Sequence, residues 1–598
     1  MTAGATESQA AAGFLGVERS LTGRRWRLRQ GDERLGLALS QRFGLSEIVG
    51  RVLAARGVGL DDAAGFLEPT LRDGLPDPSH LKGMDDGCER LASAVMQGEQ
   101  IAIFGDYDVD GATSSALLKR YLTAVGGRVR VYIPDRLKEG YGPNAPALLR
   151  LKDEGASAVV TVDCGTGAFE ALAEASRIGL DVVVVDHHEA EASLPSALAI
   201  INPNRLDDES PHGHMAAVGV AFLLVVGLNR ALRRAGWFKT RTEPDLMRWL
   251  DLVALGTVCD VVPLIGVNRA LVIQGLKVMA ARGNVGLAAL GDVAGIDELP
   301  GAYHLGFVLG PRVNAGGRIG APDLGSRLLS TDDPAEAREL AKKLDGLNRE
   351  RQAIEAQVLE QALGRVEGMD AADGLAFAWG DGWHPGVVGI VASRLKERYN
   401  LPACVVAMDG SVGTGSGRSI SGVDLGAAVI AARQAGLLLK GGGHSMAAGF
   451  TVEREKLSDL RAFIAERTAA RIKEAGIKPT LSLDGAVKPG AISTAMIEQL
   501  EKVGPFGSGN PEPRFVLPSA RIGFADVVGD AHVRLSIATD GTGRALKAIS
   551  FRSVETELGQ ALLNSTGAPM HLAGRLRIDS WQGRSQPQLL IDDAARAW

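Results

Sequence analysis

Three short runs of β-forming residues each end in acid, and together they restrict the chain to a narrow set of folds. Ile101-Ala-Ile-Phe-Gly105 leads into Asp106-Tyr107-Asp108-Val109-Asp110-Gly111. Ala158-Val-Val-Thr-Val162 leads into Asp163-Cys164-Gly165, and Asp181-Val-Val-Val-Val185 into Asp186-His187-His188. Fully apolar runs alternating with amphipathic stretches predict a parallel sheet covered on both faces. The pattern reads as strand 101–105, helix 111–125, strand 128–133, helix 144–154, strand 158–162, helix 167–178, and strands 181–185 and 198–201. Open sheets of this kind bind ligands outside the carboxyl ends of their strands. Acids crowded there repel one another unless a cation sits among them, so the three clusters predict a metal site.

The donors define the metal. Asp106, Asp108 and Asp110 alternate and would share one face of an extended backbone, while Gly111 and the helix start bend the segment. Asp163, His187 and His188 come from other strand ends, and Asp260 follows a helix and a glycine turn. Carboxylates with one or two imidazoles and no thiolate favour Mn²⁺ or Mg²⁺ over structural zinc. Two such ions can clamp a phosphodiester and generate hydroxide from water at neutral pH. There is no phosphate-loop lysine string and no Ser/His/Asp elbow, so water is the expected nucleophile.

At 598 residues the chain exceeds what one core serves, and several domains are expected. The boundaries read as a disordered tail 1–20, a small segment 21–95, an α/β catalytic domain 96–330, a long helix 331–366, a second α/β domain 367–476 and a small β-barrel 477–598. Asp332-Asp333-Pro334 signals a helix start. Leu340, Leu344, Leu347, Ile354 and Val358 then recur at helical spacing over about 30 residues, a strut of ~45 Å that would leave a cleft beside it. Beyond 480 the texture becomes short strands near 514–517, 520–527, 532–538, 544–551, 569–577 and 587–591, as in a barrel or sandwich.

Three glycine-rich strings, 310–318, 413–419 and 441–444, read as anion-holding turns, two of them carrying arginines. The formal charge of −6 requires cations to be concentrated locally if a polyanion is bound. The run Arg24-Arg25-Trp26-Arg27-Leu28-Arg29 reads first as a solvated edge around a buried Trp, and second as a nucleic-acid backbone contact. Cys88, Cys164, Cys259 and Cys404 are scattered without CxxC spacing, which argues against a disulfide framework and suits a reducing cytoplasm. No charge-free apolar stretch reaches ~18 residues, so no membrane span is expected.

At several strings the chain closely resembles the RecJ family of single-strand-specific DNA exonucleases, in the DHH phosphoesterase superfamily. They are residues 105–114 (GDYDVDGATS), 162–165 (VDCG), 186–188 (DHH), 250–264 (LDLVALGTVCDVVPL), 310–318 (GPRVNAGGR), 383–399 (WHPGVVGIVASRLKERY), 415–419 (GSGRS), 442–449 (GGHSMAAG) and 504–515 (GPFGSGNPEPRF). DHH alone marks only the superfamily; the GPRVNAGGR, WHPGVVGI and GPFGSGNPEP strings point to this family.

The resemblance implies a DHH domain, a DHH-associated domain after the long helix, and a C-terminal OB-fold. It implies Asp106, Asp108, Asp163, His187 and Asp260 as metal ligands, with Asp110, Asp186 and His188 orienting ligands or touching the scissile phosphate. Ser416, Arg418 and His444 would hold the terminal 5′-phosphate or its neighbours. Arg136, Arg312, Asn314 and Arg318 are further substrate-binding candidates. The implied activity is metal-dependent 5′→3′ degradation of single-stranded DNA to mononucleotides, in repair and recombination. A monomer is expected, with single-stranded-DNA-binding protein and other repair factors as implied partners. The alternative is a DHH-type phosphodiesterase for short oligonucleotides or cyclic dinucleotides; a non-catalytic scaffold would have lost acids that are all present. One departure is Phe104, where some relatives carry a His, which bears on the second metal position. Gly316 and Cys259 stand where Ala is common, with little consequence expected.

Overall fold

The computed structural model describes residues 12–136, 138–367, 373–539, 545–565, 567–581 and 584–597. The chain divides into two compact units, one of residues 76–262 and 274–477, the other of 1–75, 263–273 and 478–598.

The first of these contains the predicted parallel sheet. Its order is Arg128–Tyr132, Gln100–Gly105, Ala156–Val162, Asp181–Val185, Ala199–Ile201, every neighbouring pair parallel. In chain order this is 2-1-3-4-5, so the winding direction reverses between Gln100–Gly105 and Ala156–Val162. Such a switch point opens a crevice at the carboxyl ends of those two strands. Asp106 and Asp163 follow those two strands. Burial on both faces accounts for the unbroken apolar runs, since Ile101–Phe104 and Val182–Val185 are almost wholly buried.

Helix Met84–Gln97 lies on this same sheet, where Gly87 faces the Ile201 and Val183 side chains. Residues from 76 onward therefore belong to this unit, and the leading segment expected to reach 95 ends about twenty residues earlier.

Helix Pro334–Val366 is the expected strut, 33 residues long and therefore ~50 Å. Asp333 caps it by accepting from the Ala335 amide at 2.8 Å. Leu340 and Leu344 are buried in its first half. Its second half, through Val358, Ala362 and Val366, joins the core of the following α/β domain with Trp383, Val388 and Val391. That domain has a five-stranded sheet in the order Lys440–His444, Ala447–Glu453, Val412–Arg418, Ala403–Asp409, Ala376–Asp381, of which the last pair is parallel.

In the other unit, strands Phe515–Val528, His532–Ile537, Leu546–Ser550, Arg584–Arg596 and Pro569–Trp581 close into a five-stranded barrel, because the last pairs back onto the first. Register shifts at Leu517/Ala520 and Ile522/Phe524 bend the long first strand, as bulges do. The two short strands expected from the sequence are therefore one. Helices Glu33–Phe43 and Glu47–Ala55 share the barrel's core through Leu39, Val49 and Val52.

The basic run forms strand Arg25–Leu28, parallel to Thr480–Leu483. Trp26 is buried, with Nε1 donating to Asp593 at 2.9 Å, as in the first of its two readings. Residues 12–20, expected to belong to a disordered tail, have a defined conformation. Phe14–Gly16 forms a turn of 3₁₀ helix, and Val17 packs with Trp26 and Leu481. Residues 1–11 of that tail lie outside the described residues.

Candidate metal centre and the pocket beside it

The acidic segment after the first strand does not stay extended. Helix Val109–Ala124 begins inside it, with Asp108 as N-cap accepting from the Gly111 amide at 3.1 Å. This splits the three acids. Asp106 and Asp108 remain with Asp163, while Asp110 turns into the interior, where it accepts from the Ala217 and Val218 amides at 2.7 and 2.9 Å. Those amides start helix Ala217–Arg234, and a helix N-terminus favours an anion. Gly111 has a strict reason: a Cβ there would lie 2.5 Å from the Asp106 carbonyl oxygen.

Asp260 is the C-cap of helix Leu250–Cys259. That helix comes close because Gly256 lacks a side chain; a Cβ would lie 2.4 Å from Thr113 Oγ1 and 3.0 Å from Asp110 Oδ1. Asp163 and Val261, the latter adjoining Asp260, have φ of 61° and 64°. Left-handed backbone costs a non-glycine residue about 1–2 kcal/mol, and such strain gathers at functional sites.

Three sets of donor atoms lie within 4.8 Å of one another: Asp106, Asp108 and Asp163; Asp110, His187 and Asp260; and Asp163, His187 and His188. His187 links them. Its Nε2 is 3.3 Å from Asp163 and 4.0 Å from Asp110, and its Nδ1 is 3.6 Å from Asp260. Asp106 Oδ1, Asp260 Oδ2 and His187 Nε2 are buried without a hydrogen-bond partner. Leaving such atoms unsatisfied costs about 1–3 kcal/mol each, and a divalent cation satisfies oxygen and imidazole donors together. The residues fit the metal.

The charges agree. Burial, then the charge of Asp108, pushes the Asp106 and Asp163 carboxyls well up from their ordinary range. Asp110 is pushed up to about 7 by the same two causes, and Asp260 up to about 9 by burial with Asp110 and Asp108. Without a cation these acids resist ionisation. Burial and neighbouring His188 lower His187 to about 4, so it is the neutral, ligating form.

Asp186 and His188 form a different kind of pair. Asp186 accepts from the His188 ring at 2.7 Å, the His187 amide at 2.8 Å and the Thr166 amide at 3.0 Å. Its oxygens are taken, so it orients rather than ligates. Burial would lower His188, but the Asp186 hydrogen bond and the charges of Asp186, Asp108 and Asp110 together outweigh it and raise its pKa.

Sequence reasoning missed several supports. Tyr141 donates to the Asp163 carbonyl at 2.8 Å and stands 3.4 Å from His188 Nδ1. Asn202 and Asn204 donate to the carbonyls of His188 and His187 at 2.8 and 2.5 Å. Both asparagines follow the fifth strand, so a fourth strand end was the signal that pointed to them. Phe104 lies in the core against the Tyr132 ring.

The centre opens into a cavity of about 230 Å³ lined by Asp106, Asp108, Asp163, Asp260, Asn314 and Arg318, among others. Arg318 and Arg136 also line a second cavity of about 350 Å³, with Ser416 and Arg418. Arg136 sits over the Tyr107 ring at 5.3 Å. Burial, then Arg136 and Arg351 nearby, lowers Arg318 to about 10.

The glycine-rich strings are not the loops expected. Residues 412–418 form a strand in which Gly413, Gly415 and Gly417 alternate with Thr414, Ser416 and Arg418. A Cβ on Gly415 would lie 2.2 Å from the Phe450 ring, and one on Gly417 2.6 Å from Leu425. The glycine flank thus admits the core, and the other flank faces the cavity. The 441–444 string is likewise a strand, Lys440–His444. In register, Gly442, Gly449 and Ser416 form one row and Lys440, Thr451 and Thr414 the next. Neighbours in a row share a face, and nothing lies within 4 Å above Gly442 or Gly449. The floor is open backbone, and Lys440 and Thr414, which sequence reading passed over, flank it. His444 is in the row of Arg418 but is exposed, outside the cavity lining.

The third string, 310–318, is helix Gly310–Ile319, so its amides are engaged along the helix rather than forming a nest. A Cβ on Gly317 would lie 2.5 Å from the Tyr107 carbonyl oxygen, so this glycine lets the helix meet the Asp106–Asp108 segment. Gly317→Ala is expected to destabilise the fold by about 1–3 kcal/mol through overpacking, seen as a lower urea midpoint at unchanged slope. Arg312 is turned away from both cavities. It bonds Asp345 at 2.9 Å and the Val308 carbonyl at 2.7 Å, so its guanidinium is engaged within the protein.

Three family models match the chain: the DHH family N-terminal domain over residues 100–257, the DHHA1 domain over 372–470 and the RecJ OB domain over 483–593. The chain is 38% identical to the single-stranded-DNA-specific exonuclease RecJ of Dickeya dadantii and 37% identical to that of Escherichia coli. Each match covers 92% of this chain and 96% of the relative. Among solved structures, RecJ from Thermus thermophilus in complex with Mn²⁺ superposes with a TM-score of 0.79 at 30% identity. That match covers 95% of this chain and 79% of the other.

Proposed function

The chain belongs to the RecJ family, and from that premise we propose that it is a metal-dependent exonuclease degrading single-stranded DNA from the 5′ end to mononucleotides. One observation carries the reading: the metal centre and a cation-lined pocket are joined through Arg136 and Arg318. A strand end held in the pocket by its terminal phosphate brings its first internal phosphodiester to the carboxylates.

Asp106, Asp108 and Asp163 would hold one ion and His187 with Asp260 a second, with Asp110 beside them anchored on helix amides; the two sets share no residue, which supports two ions of Mn²⁺ or Mg²⁺. Bound there, divalent ions supply Lewis acidity toward phosphate and water. The chain's own groups do the positioning. Asp110 anchors its carboxylate on two helix amides. Asp186 fixes the ring of His188, whose half-exposed, readily protonated imidazole can hydrogen-bond a phosphate oxygen. Ser416 and Arg418, joined by a 3.1 Å bond, receive the terminal phosphate. The barrel matched by the RecJ OB model supplies a further single-strand surface. Repair and recombination, contact with single-stranded-DNA-binding protein, work as a monomer and a cytoplasmic setting are part of the same proposal; the four free cysteines suit that setting.

Degradation of 5′- and 3′-labelled single strands with Mn²⁺, Mg²⁺ or chelator tests it. The 5′ label should appear at once as mononucleotide and the 3′ label only in progressively shorter strands, with no cleavage in chelator. Release of the 3′ label first would overturn the polarity. Faster turnover of a dinucleotide than of a strand of about 30 nucleotides would favour the short-substrate phosphodiesterase instead.

A further inference from the structure

Helix Gly310–Ile319, whose Asn314 and Arg318 line the metal cavity, is preceded without a break by a π-helical turn, His304–Leu309. Such turns are rare and gather at functional sites. This one leaves Tyr303 and Phe307 66% and 73% exposed. Their rings lie 5.3 Å apart and only 25° from parallel. Two large exposed rings stacked on one another are an unusual surface for water to cover.

The turn is held in place. His304 Nδ1 accepts from the Gly301 amide at 3.0 Å, and its Nε2 meets Glu298 at 3.1 Å. It is also held against the metal centre, since Cys259, next to Asp260, donates its thiol to the Leu305 carbonyl at 3.3 Å. Along the helix the order is therefore Tyr303 and Phe307, then Asn314 at the metal cavity, then Arg318 at the phosphate pocket. At 1.5 Å per residue Phe307 is ~10 Å from Asn314, a few nucleotides of a single strand at most.

We propose that Tyr303 and Phe307 are a stacking platform for unpaired bases of the substrate, on the side of the metal centre away from the phosphate pocket. The inference rests on the function proposed above and extends it. Rings already stacked on one another leave an outer face on which a planar base can continue the stack, whereas a protein partner's side chain would need a hollow. Stacking accepts every base, so the platform would grip the incoming strand without sequence preference.

The test compares the wild type with Tyr303→Ala/Phe307→Ala on 5′-phosphorylated strands of about 20 nucleotides, either intact or lacking bases at nucleotides two to five. The wild type should lose about tenfold or more in kcat/KM on the baseless strand. The double variant should raise KM for the intact strand by about 10- to 100-fold, at one or two stacked bases, and should no longer distinguish the two strands. Phe307→Trp should restore the distinction, which a merely structural role would not predict. Both residues are exposed, and a melting curve within a few degrees of wild type checks the fold. A double variant with wild-type KM and undiminished discrimination overturns the platform, as does loss only of binding to a second protein. A wild type unable to cut single strands with metal would instead remove the function on which the platform rests.

Discussion

Asp163→Asn is expected to lower the rate of metal-dependent hydrolysis at least about a thousandfold, some 4 kcal/mol of barrier, while making the protein harder to melt in chelator at pH 8. Both effects have one cause. Asp163 is a member of two of the three donor sets and lies 3.3 Å from His187, so the change removes a negative donor where ions bind. The same carboxyl is buried among Asp108, Asp110, Asp106 and Asp260, and burial, then their crowding, holds its pKa far up. Folding without metal at pH 8 must then bury a repelling charge or take up a proton, and Asn needs neither. Asn also tolerates the left-handed backbone at φ 61° better than Ala would. Single-turnover hydrolysis with Mn²⁺ and melting in chelator measure the two halves. Full activity in the variant would remove Asp163 from the centre.

The second large effect is that of metal on stability, and it should grow with pH. Asp110 and Asp260 are pushed up to about 7 and about 9, whereas in the unfolded chain such carboxyls ionise near ~4. Between those limits the metal-free fold binds more protons than the unfolded chain, so its stability falls as pH rises. Bound ions take the protons' place and remove that slope. A thousandfold excess of ion over Kd adds about 4 kcal/mol, a rise in Tm of roughly 5 °C for a unit of this size. The difference in Tm between Mn²⁺ and chelator should be plainly larger at pH 8.5 than at pH 6. Equal shifts at the two pH values would mean that these carboxyls are ionised in the metal-free fold.

Much of the centre was legible in advance because it follows a local rule. An apolar run that ends in acid marks a strand end whatever surrounds it, and Asp106, Asp163 and Asp186 all sit at such ends. The glycine strings were misread because a glycine's purpose depends on what approaches it. Gly415 makes room for Phe450 and Gly317 for the Tyr107 carbonyl, neighbours that composition does not name. What Arg312 meets is likewise not written locally: its partner Asp345 is 33 residues on.

The order of residues alone settled the strand periodicity, the donor types and hence the class of cation, since all three depend on neighbours along the chain and on side-chain chemistry. Packing decided the rest. Only when the winding reverses between the first and third strands do Asp106 and Asp163 face each other, and only a glycine-thin helix contact brings Asp260 to them. Those are contacts between segments far apart in the chain, and their geometry is set by close packing of the whole unit.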